Sequence, residues 1–345
     1  NGTLVRIGRA FAANELYIFA TPSGDPAITR RLDIARRPQY YLDGAATPVV
    51  VRHGIMGGRF GVKNLFHNID EALYPVWSVM RRWPQHKWIV VAEGASHSVP
   101  FPFLLSLLPG VQDEVLFLGG NGGNNNGYQL PGGRPATPTR RKSLQLVCFR
   151  DLLRDQPRYS KRSSRNATQP PLAFYQYLAK ASRVCMPPPP GGTLQLLVVQ
   201  RLKDRQILNL DLLLAALRRR SNIPTLPPCF SSLNVTLVSW ERLITAQQMA
   251  TACGAHLMVA VHGAGNHWSM FLNGARPDRA AILEIANADW HNCQYSRVFA
   301  RRGFVSECQE HPRKHPEHTA FERIKPDDLV VDVGNVTRGV GRLMG

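Results

Sequence analysis

Leu257-Met258-Val259-Ala260-Val261-His262-Gly263-Ala264-Gly265-Asn266 runs an apolar segment straight into a glycine-rich turn. An apolar run this short, with no polar face, suits a parallel strand covered on both sides. A turn of this kind leaves backbone amides unpaired at the start of the following helix, and glycine lets a pyrophosphate approach them closely. A strand-to-helix turn also needs glycine for packing, so the segment alone is compatible with either role.

Outward from this stretch, short β-branched runs alternate with helical patterns, as in stacked α/β units. On the amino side lie strand Leu194 to Gln200, a helix around Leu210 to Arg219, strand Val235 to Trp240 and helix Ile244 to Cys253. The strand containing the opening run spans His256 to Val261; a further helix and strand Ala281 to Ile285 follow. An earlier series has strands Pro48 to Arg52, Lys87 to Ala92, Glu114 to Leu118 and Leu144 to Phe149, then a helix over Pro171 to Ser182. Gly119 to Lys142 is rich in Gly, Asn, Pro and Arg and reads as a long surface loop. Pro187 to Pro190, followed by Gly191 and Gly192, cannot sit in a helix or central strand. The expected organisation is therefore an α/β domain over 1–186, a Pro/Gly linker over 187–192 and a second α/β domain over 193–345, with a ligand cleft between the halves.

Two further segments carry chemistry. Arg201 and Arg205 fall just past the first strand of the second half, where two guanidinium forks can neutralise a diphosphate without a metal; solvated loop arginines are the plainer reading. In Lys63 to Trp77, helical spacing puts Leu65, Phe66, Ile69, Leu73 and Val76 on the core side and His67, Asp70, Glu71 and Tyr74 on one polar face. A histidine beside two carboxylates suits a general base, although such a face is more often merely solvated.

Several readings are set aside. Gly94-Ala95-Ser96-His97-Ser98 lacks the second glycine of a nucleophile elbow. His311, His315 and His318 lie in a polar stretch that reads as an exposed loop and not a zinc site. No Asp-x-Asp follows a strand, so a metal-dependent nucleotide-sugar site is not expected. The net charge of +18 comes from Arg/Lys clusters in loops and helix ends, and no nucleic-acid-binding motif accompanies it. No apolar stretch reaches the roughly 20 residues needed to cross a bilayer, so a membrane anchor is expected only outside this stretch of chain. The six cysteines show no metal spacing and permit disulfides without fixing their pairing. Four sequons, at Asn1, Asn166, Asn234 and Asn335, favour the secretory pathway.

In order and spacing, these segments resemble the family 61 glycosyltransferases. The family's Asn, aromatic, His, acidic residue and Pro are matched by Asn64, Phe66, His67, Glu71 and Pro75; its arginine segment by Arg201, Arg205 and Asn209; and its later motifs by Glu241, Gln247, His262 to Gly265 and Glu284. The resemblance spans roughly Pro48 to Val336, with one departure: Asn266-His267-Trp268 stands where the family has Leu-Thr-Asn or Leu-Thr-His.

The resemblance implies a GT-B fold of two facing Rossmann-like domains and an inverting transfer of N-acetylglucosamine, xylose or arabinose from a uridine diphosphate sugar. The acceptor is a hydroxyl of a glycan or glycoprotein in the Golgi or endoplasmic reticulum lumen, and no obligatory metal or other cofactor is implied. Arg201, Arg205, Asn209, His262, Gly263, Ala264, Gly265, Asn266 and Glu284 are expected to hold the donor, with Asn64 and Tyr74 on the acceptor side. Glu71 is expected to be the base, with His67 and Asp70 as the next candidates. The departure leaves a catalytically inactive glycan- or nucleotide-binding relative as the alternative.

Overall fold

The computed structural model describes residues 64–85, 102–108, 170–189, 192–203, 205–219, 229–287, 293–311 and 328–344, together with the backbone of the strands that precede residue 156. The chain divides into two compact units, Asn1–Pro170 and Pro171–Gly345.

The first unit holds one mixed sheet. Its parallel centre is β8 (Val147–Asp155), β4 (Val49–Arg59), β5 (Trp88–Glu93) and β6 (Val111–Leu118), in that spatial order. These are the four strands expected from sequence, each with shifted ends. β1 (Leu4–Arg6), β2 (Ala10–Ala12), β3 (Ile18–Ala20) and β7 (Tyr128–Gln129) add antiparallel pairings that the sequence did not announce. β7 falls within the predicted surface loop, most of which, like Gly94 to Ser98, lies outside the described residues. Two helices are described, α1 (Tyr74–Arg82) and the short α2 (Pro102–Ser106).

The second unit is a five-stranded, wholly parallel sheet in the order β10 (Phe230–Val238), β9 (Gly192–Val199), β11 (Leu257–Val261), β12 (Ala281–Asn287) and β13 (Val305–His311). All five residues of β11 are buried, as an apolar run at the middle of a doubly covered sheet requires. Side-chain alternation then sorts the core. Leu196, Val198, Val259, Leu283 and Ile285 pack with Leu213, Leu214 and Leu217 of α4 (Leu210–Arg218) and with Val336 and Val340 of α7 (Val333–Met344). Each such side chain contributes about 1.5–3 kcal/mol through burial. α3 (Leu172–Ser182), α5 (Thr245–Cys253), α6 (Gln294–Ala300) and the 3-10 segment Ala264–Phe271 supply the rest of the helical covering. α4 carries Asp211 in its first turn and Arg218 in its last, complementing the helix dipole at both ends.

In chain order this sheet reads second, first, third, fourth, fifth strand. The order reverses between β9 and β11, and ligands of open parallel sheets bind beyond the strand carboxyl ends at such a point.

Candidate active site

The glycine turn and the arginine loop leave the carboxyl ends of β11 and β9, so they flank the switch point. Gly263 is extended (φ 165, ψ 168), a conformation open to any residue; contact is what restricts it. A Cβ there would lie 3.0 Å from Arg201 Nη1 and 3.8 Å from Arg205 Nη1, so both guanidinium groups rest against this one backbone unit. A Cβ on Gly265 would sit 2.8 Å from Cδ1 of the buried Trp240 ring. The segment after the turn, Ala264–Phe271, is a 3-10 helix in which Asn266 N donates to Gly263 O at 2.9 Å.

The arginine loop is fixed by hydrogen bonds on both sides. Gln200 Oε1 accepts from Ile207 N at 3.1 Å. Gln206 N donates to Asp328 Oδ1 at 3.0 Å, and Leu208 N to Leu329 O at 2.8 Å. Asn209 grips Val331 with both ends of its amide, Nδ2 donating to the carbonyl at 2.7 Å and Oδ1 accepting from the N–H at 3.0 Å. Asn209, grouped with the donor-site residues from sequence, therefore holds the loop. Arg205 takes a left-handed conformation (φ 58) and donates from Nη1 to His262 O at 2.7 Å, tying the loop directly to the glycine turn.

Behind the turn stands a chain of buried polar groups. His262 Nδ1 is 2.6 Å from Glu284 Oε1, and Glu284 is completely buried. Glu284 Oε2 accepts from Ser296 N at 2.8 Å and from Ser296 Oγ at 2.9 Å. A carboxylate only accepts, so the Nδ1 proton belongs to His262 and its Nε2 is the atom left to face a ligand. Glu284 thus has no edge open to solvent and touches the turn through His262. Ser296 was absent from the sequence reading, and nothing in Cys293-Gln294-Tyr295-Ser296 signals it, because its role depends on α6 crossing β12.

Asn266, His267 and Trp268, the departure from the family pattern, are all buried. His267 packs edge-on against Tyr175 of α3, with ring centroids 5.7 Å apart. Trp268 Nε1 donates to Gln248 Oε1 at 2.8 Å, and Gln248 Nε2 donates to Trp240 O at 2.7 Å. These residues brace the turn from the core side. Gln247 caps the start of α5 by accepting from Ile244 N at 3.1 Å, and Glu241 is exposed.

In the first unit, His67–Leu73 forms a π-helical turn that runs into α1. Tyr74 N donates to Ile69 O, five residues back. Pro75 explains the wider turn, because its ring cannot donate to the carbonyl at position 71 and would crowd it in an α-helix. The widened turn brings His67 Nδ1 to 2.6 Å from Glu71 Oε1. The polar face is not wholly exposed as the 3.6-residue period suggested: Asp70 is buried, while His67, Glu71 and Tyr74 are half-buried, as is Phe66 on the expected core side. Asn64 Oδ1 accepts from Phe66 N at 3.0 Å, a cap at the start of the turn.

His311 lies buried at the end of β13, where Nδ1 accepts from Asp332 N at 3.2 Å, and not in an exposed loop; His315 and His318 lie outside the described residues. Among the described residues no cluster of three His, Cys, Asp or Glu side chains could hold a metal ion, and no helix is long and apolar enough to cross a membrane. Cys185–Cys253 and Cys293–Cys308 form disulfides, and Cys229 is a free, exposed thiol.

A profile of the family Glycosyltransferase 61 matches residues 65–282. The EGF domain-specific O-linked N-acetylglucosamine transferase of Drosophila melanogaster is 30% identical over 131 residues, which cover 38% of this chain and 22% of that relative's own length. The solved structure of rubredoxin oxygen:oxidoreductase from Desulfovibrio gigas superposes with a TM-score of 0.25 at 12% identity, over 57% of this chain and 44% of that one; this is too low a score for a shared fold. The profile covers more than half of the chain and takes in both the arginine loop and the glycine turn, and on that match the chain belongs to glycosyltransferase family 61.

Proposed function

We propose that this chain is the catalytic part of an inverting glycosyltransferase. It moves N-acetylglucosamine, or a pentose such as xylose or arabinose, from a uridine diphosphate sugar to a hydroxyl of a glycan or glycoprotein. The observation that carries this reading is the convergence of Arg201 and Arg205 on Gly263 at the switch point of the parallel sheet. Charge develops on the departing diphosphate as the bond to the sugar breaks, and the two guanidinium groups with the amides of the turn stabilise it most where water is sparse. His262, next to Gly263 in the chain, is held by Glu284 through Nδ1, which leaves Nε2 for the ligand.

The chain is read as a GT-B glycosyltransferase whose first unit bears the acceptor. Glu71, 2.6 Å from His67 Nδ1, removes the proton of the attacking hydroxyl, with His67 and Asp70 the next candidates for that role. Asn64 and Tyr74 shape the acceptor side around this turn. In-line attack opposite the departing diphosphate inverts the anomeric carbon. Two disulfides and the exposed Asn234 and Thr236 of a sequon support a life in the Golgi or endoplasmic reticulum lumen. The inactive-relative alternative rests on Asn266-His267-Trp268; their burial supports a packing role for the departure, which favours the active reading.

The test is a thermal-shift panel of uridine diphosphate and its N-acetylglucosamine, xylose and arabinose conjugates, with and without chelator. One conjugate should stabilise the protein in both conditions. Arg201→Ala should lose that stabilisation, whereas Glu71→Gln should keep it and lose transfer. Full turnover by Glu71→Gln overturns the base assignment, and no shift with any nucleotide overturns the reading.

A further inference from the structure

The second sheet has another opening, at the end away from the arginines. The amino ends of its strands enclose a cavity of about 580 Å³, within the usual size of small-molecule sites. Leu194, Phe230, Leu257, Val305 and Met344 give it apolar walls, and Arg276 and Arg279 stand on one side. None of these residues belongs to the site described above.

His256 supplies a polar point in this apolar surround. It is only 5% exposed, and it lines the cavity. Its Nδ1 accepts from Gln195 N at 3.1 Å, so the proton sits on Nε2, for which the described residues supply no acceptor. Burial, reinforced by the charge of Arg279, pushes its pKa down and keeps the ring neutral. His256 lines the cavity, so this N–H can donate to a ligand oxygen held there. The guanidinium groups of Arg276 and Arg279 are exposed; Arg279 makes only a loose, exposed ion pair with Asp278, another residue of the lining, Nε to Oδ2 3.7 Å, which a ligand carboxylate can replace. The chain that delivers them is strained, with Asn273, Gly274 and Ala275 at φ 49, 67 and 63, all left-handed. Ala275 has no side-chain hydrogen bond to offset that conformation, and strain of this kind collects at ligand sites.

We propose that this cavity is a second ligand site, one that takes a small amphipathic carboxylic acid. Its carboxylate pairs with Arg279 and Arg276 and accepts from His256 Nε2–H, and its apolar body lies against Leu194, Leu257, Phe230 and Met344. A nucleotide would leave that apolar wall facing hydroxyls and phosphate, so this chemistry is distinct from that of the donor site.

Octanoate is the probe, kept below its micellar concentration and compared by calorimetry with octanol and octyl sulfate. The expected result is one octanoate per chain, with octanol weaker by about tenfold for want of charge-assisted hydrogen bonds. Arg279→Gln should weaken octanoate by about three- to tenfold, and Val305→Trp at the rim should abolish its binding while leaving uridine diphosphate affinity unchanged. Octanoate should also slow alkylation of Cys229, which lines the cavity, as read by peptide mass spectrometry. Octyl sulfate binding better than octanoate would reassign the ligand to sulfate esters and overturn the carboxylate claim. No saturable binding, equal binding of acid and alcohol, or unchanged binding in both variants would overturn the site.

Discussion

Gly263→Ala separates the binding of an anion from the stability of the fold. The backbone at 263 is extended, so alanine adopts it without strain. The new methyl carbon would lie 3.0 Å from Arg201 Nη1, about the distance at which a phosphate oxygen would sit from the same nitrogen. The contact falls on the far end of a flexible side chain, which can retreat by a few tenths of an ångström, so the melting temperature should move by less than about 2 °C. The ligand has no such latitude. Losing one charge-assisted hydrogen bond costs about 1.5–3 kcal/mol, or a rise of about 10- to 150-fold in the dissociation constant for uridine diphosphate. Calorimetric titration beside a thermal melt measures both quantities. Wild-type affinity in a folded Gly263→Ala protein would show that the arginines do not hold an anion against this turn. A melting temperature that collapses with the affinity would show that the glycine serves packing alone.

Gly265→Ala should behave in the opposite way: its methyl meets the buried Trp240 ring at 2.8 Å, and overpacking of about 1–3 kcal/mol should lower the melting temperature by roughly 3–10 °C. A melt equal to wild type would mean that Trp240 is free to move. Ser296→Ala removes one of two donors to Glu284 Oε2 and should slow transfer by about tenfold, with Ser296→Thr restoring most of it; equal rates in the two variants would reduce Ser296 to a filler of space. Acidification should destabilise the second unit through His256 and His311. Burial lowers the pKa of each, with Arg279 adding to the effect at His256 and Asp332 opposing it at His311. The unfolded chain therefore takes up these protons first, and stability falls as pH drops below the ordinary histidine value of about 6.5, with no such loss above about 7.5. Urea midpoints at pH 7.5 and 5.5 measure the drop, which His311→Asn should reduce; equal midpoints in the wild type would refute the assignment.

Sequence periodicity located the parts of the second unit that are buried on both sides. β9 and β11 carry continuous apolar runs, and α4 places Leu213, Leu214 and Leu217 on one stripe. β13 escaped because it is an edge strand whose Ser306, Glu307, Gln309 and Glu310 read as loop, although Gln309 and His311 are buried. α7 escaped because Gly334, Gly339 and Gly341 depress its helix propensity; packing of Val336 and Val340 on the sheet overrides that deficit. In Lys63 to Trp77 the apolar positions were legible, but the assumed 3.6-residue period was not the period adopted. Pro75 was the visible cause, and the widened turn buries Asp70 while leaving Glu71 half-buried.

At the candidate site, residue types were legible and their division of labour was not. Arg201, Arg205 and Gly263 could be named because residues that follow a strand end must lie at one edge of its sheet. Nothing local states which strands are neighbours. The reversal of order between β9 and β11 brings the arginine loop and the glycine turn to one place, and pairing Ala260 with Glu284 in register brings that carboxylate behind His262. From sequence, Glu284 is an acidic residue ending an apolar strand, a natural candidate for direct contact with a nucleotide. In the folded chain it is sealed from solvent, and both its oxygens are occupied by His262 and Ser296. A carboxylate so placed can influence a ligand only through the imidazole that it orients. The Arg201, Arg205 and Gly263 cluster is therefore where ligand contact should be sought, and Glu284 and Ser296 are where its rigidity is set.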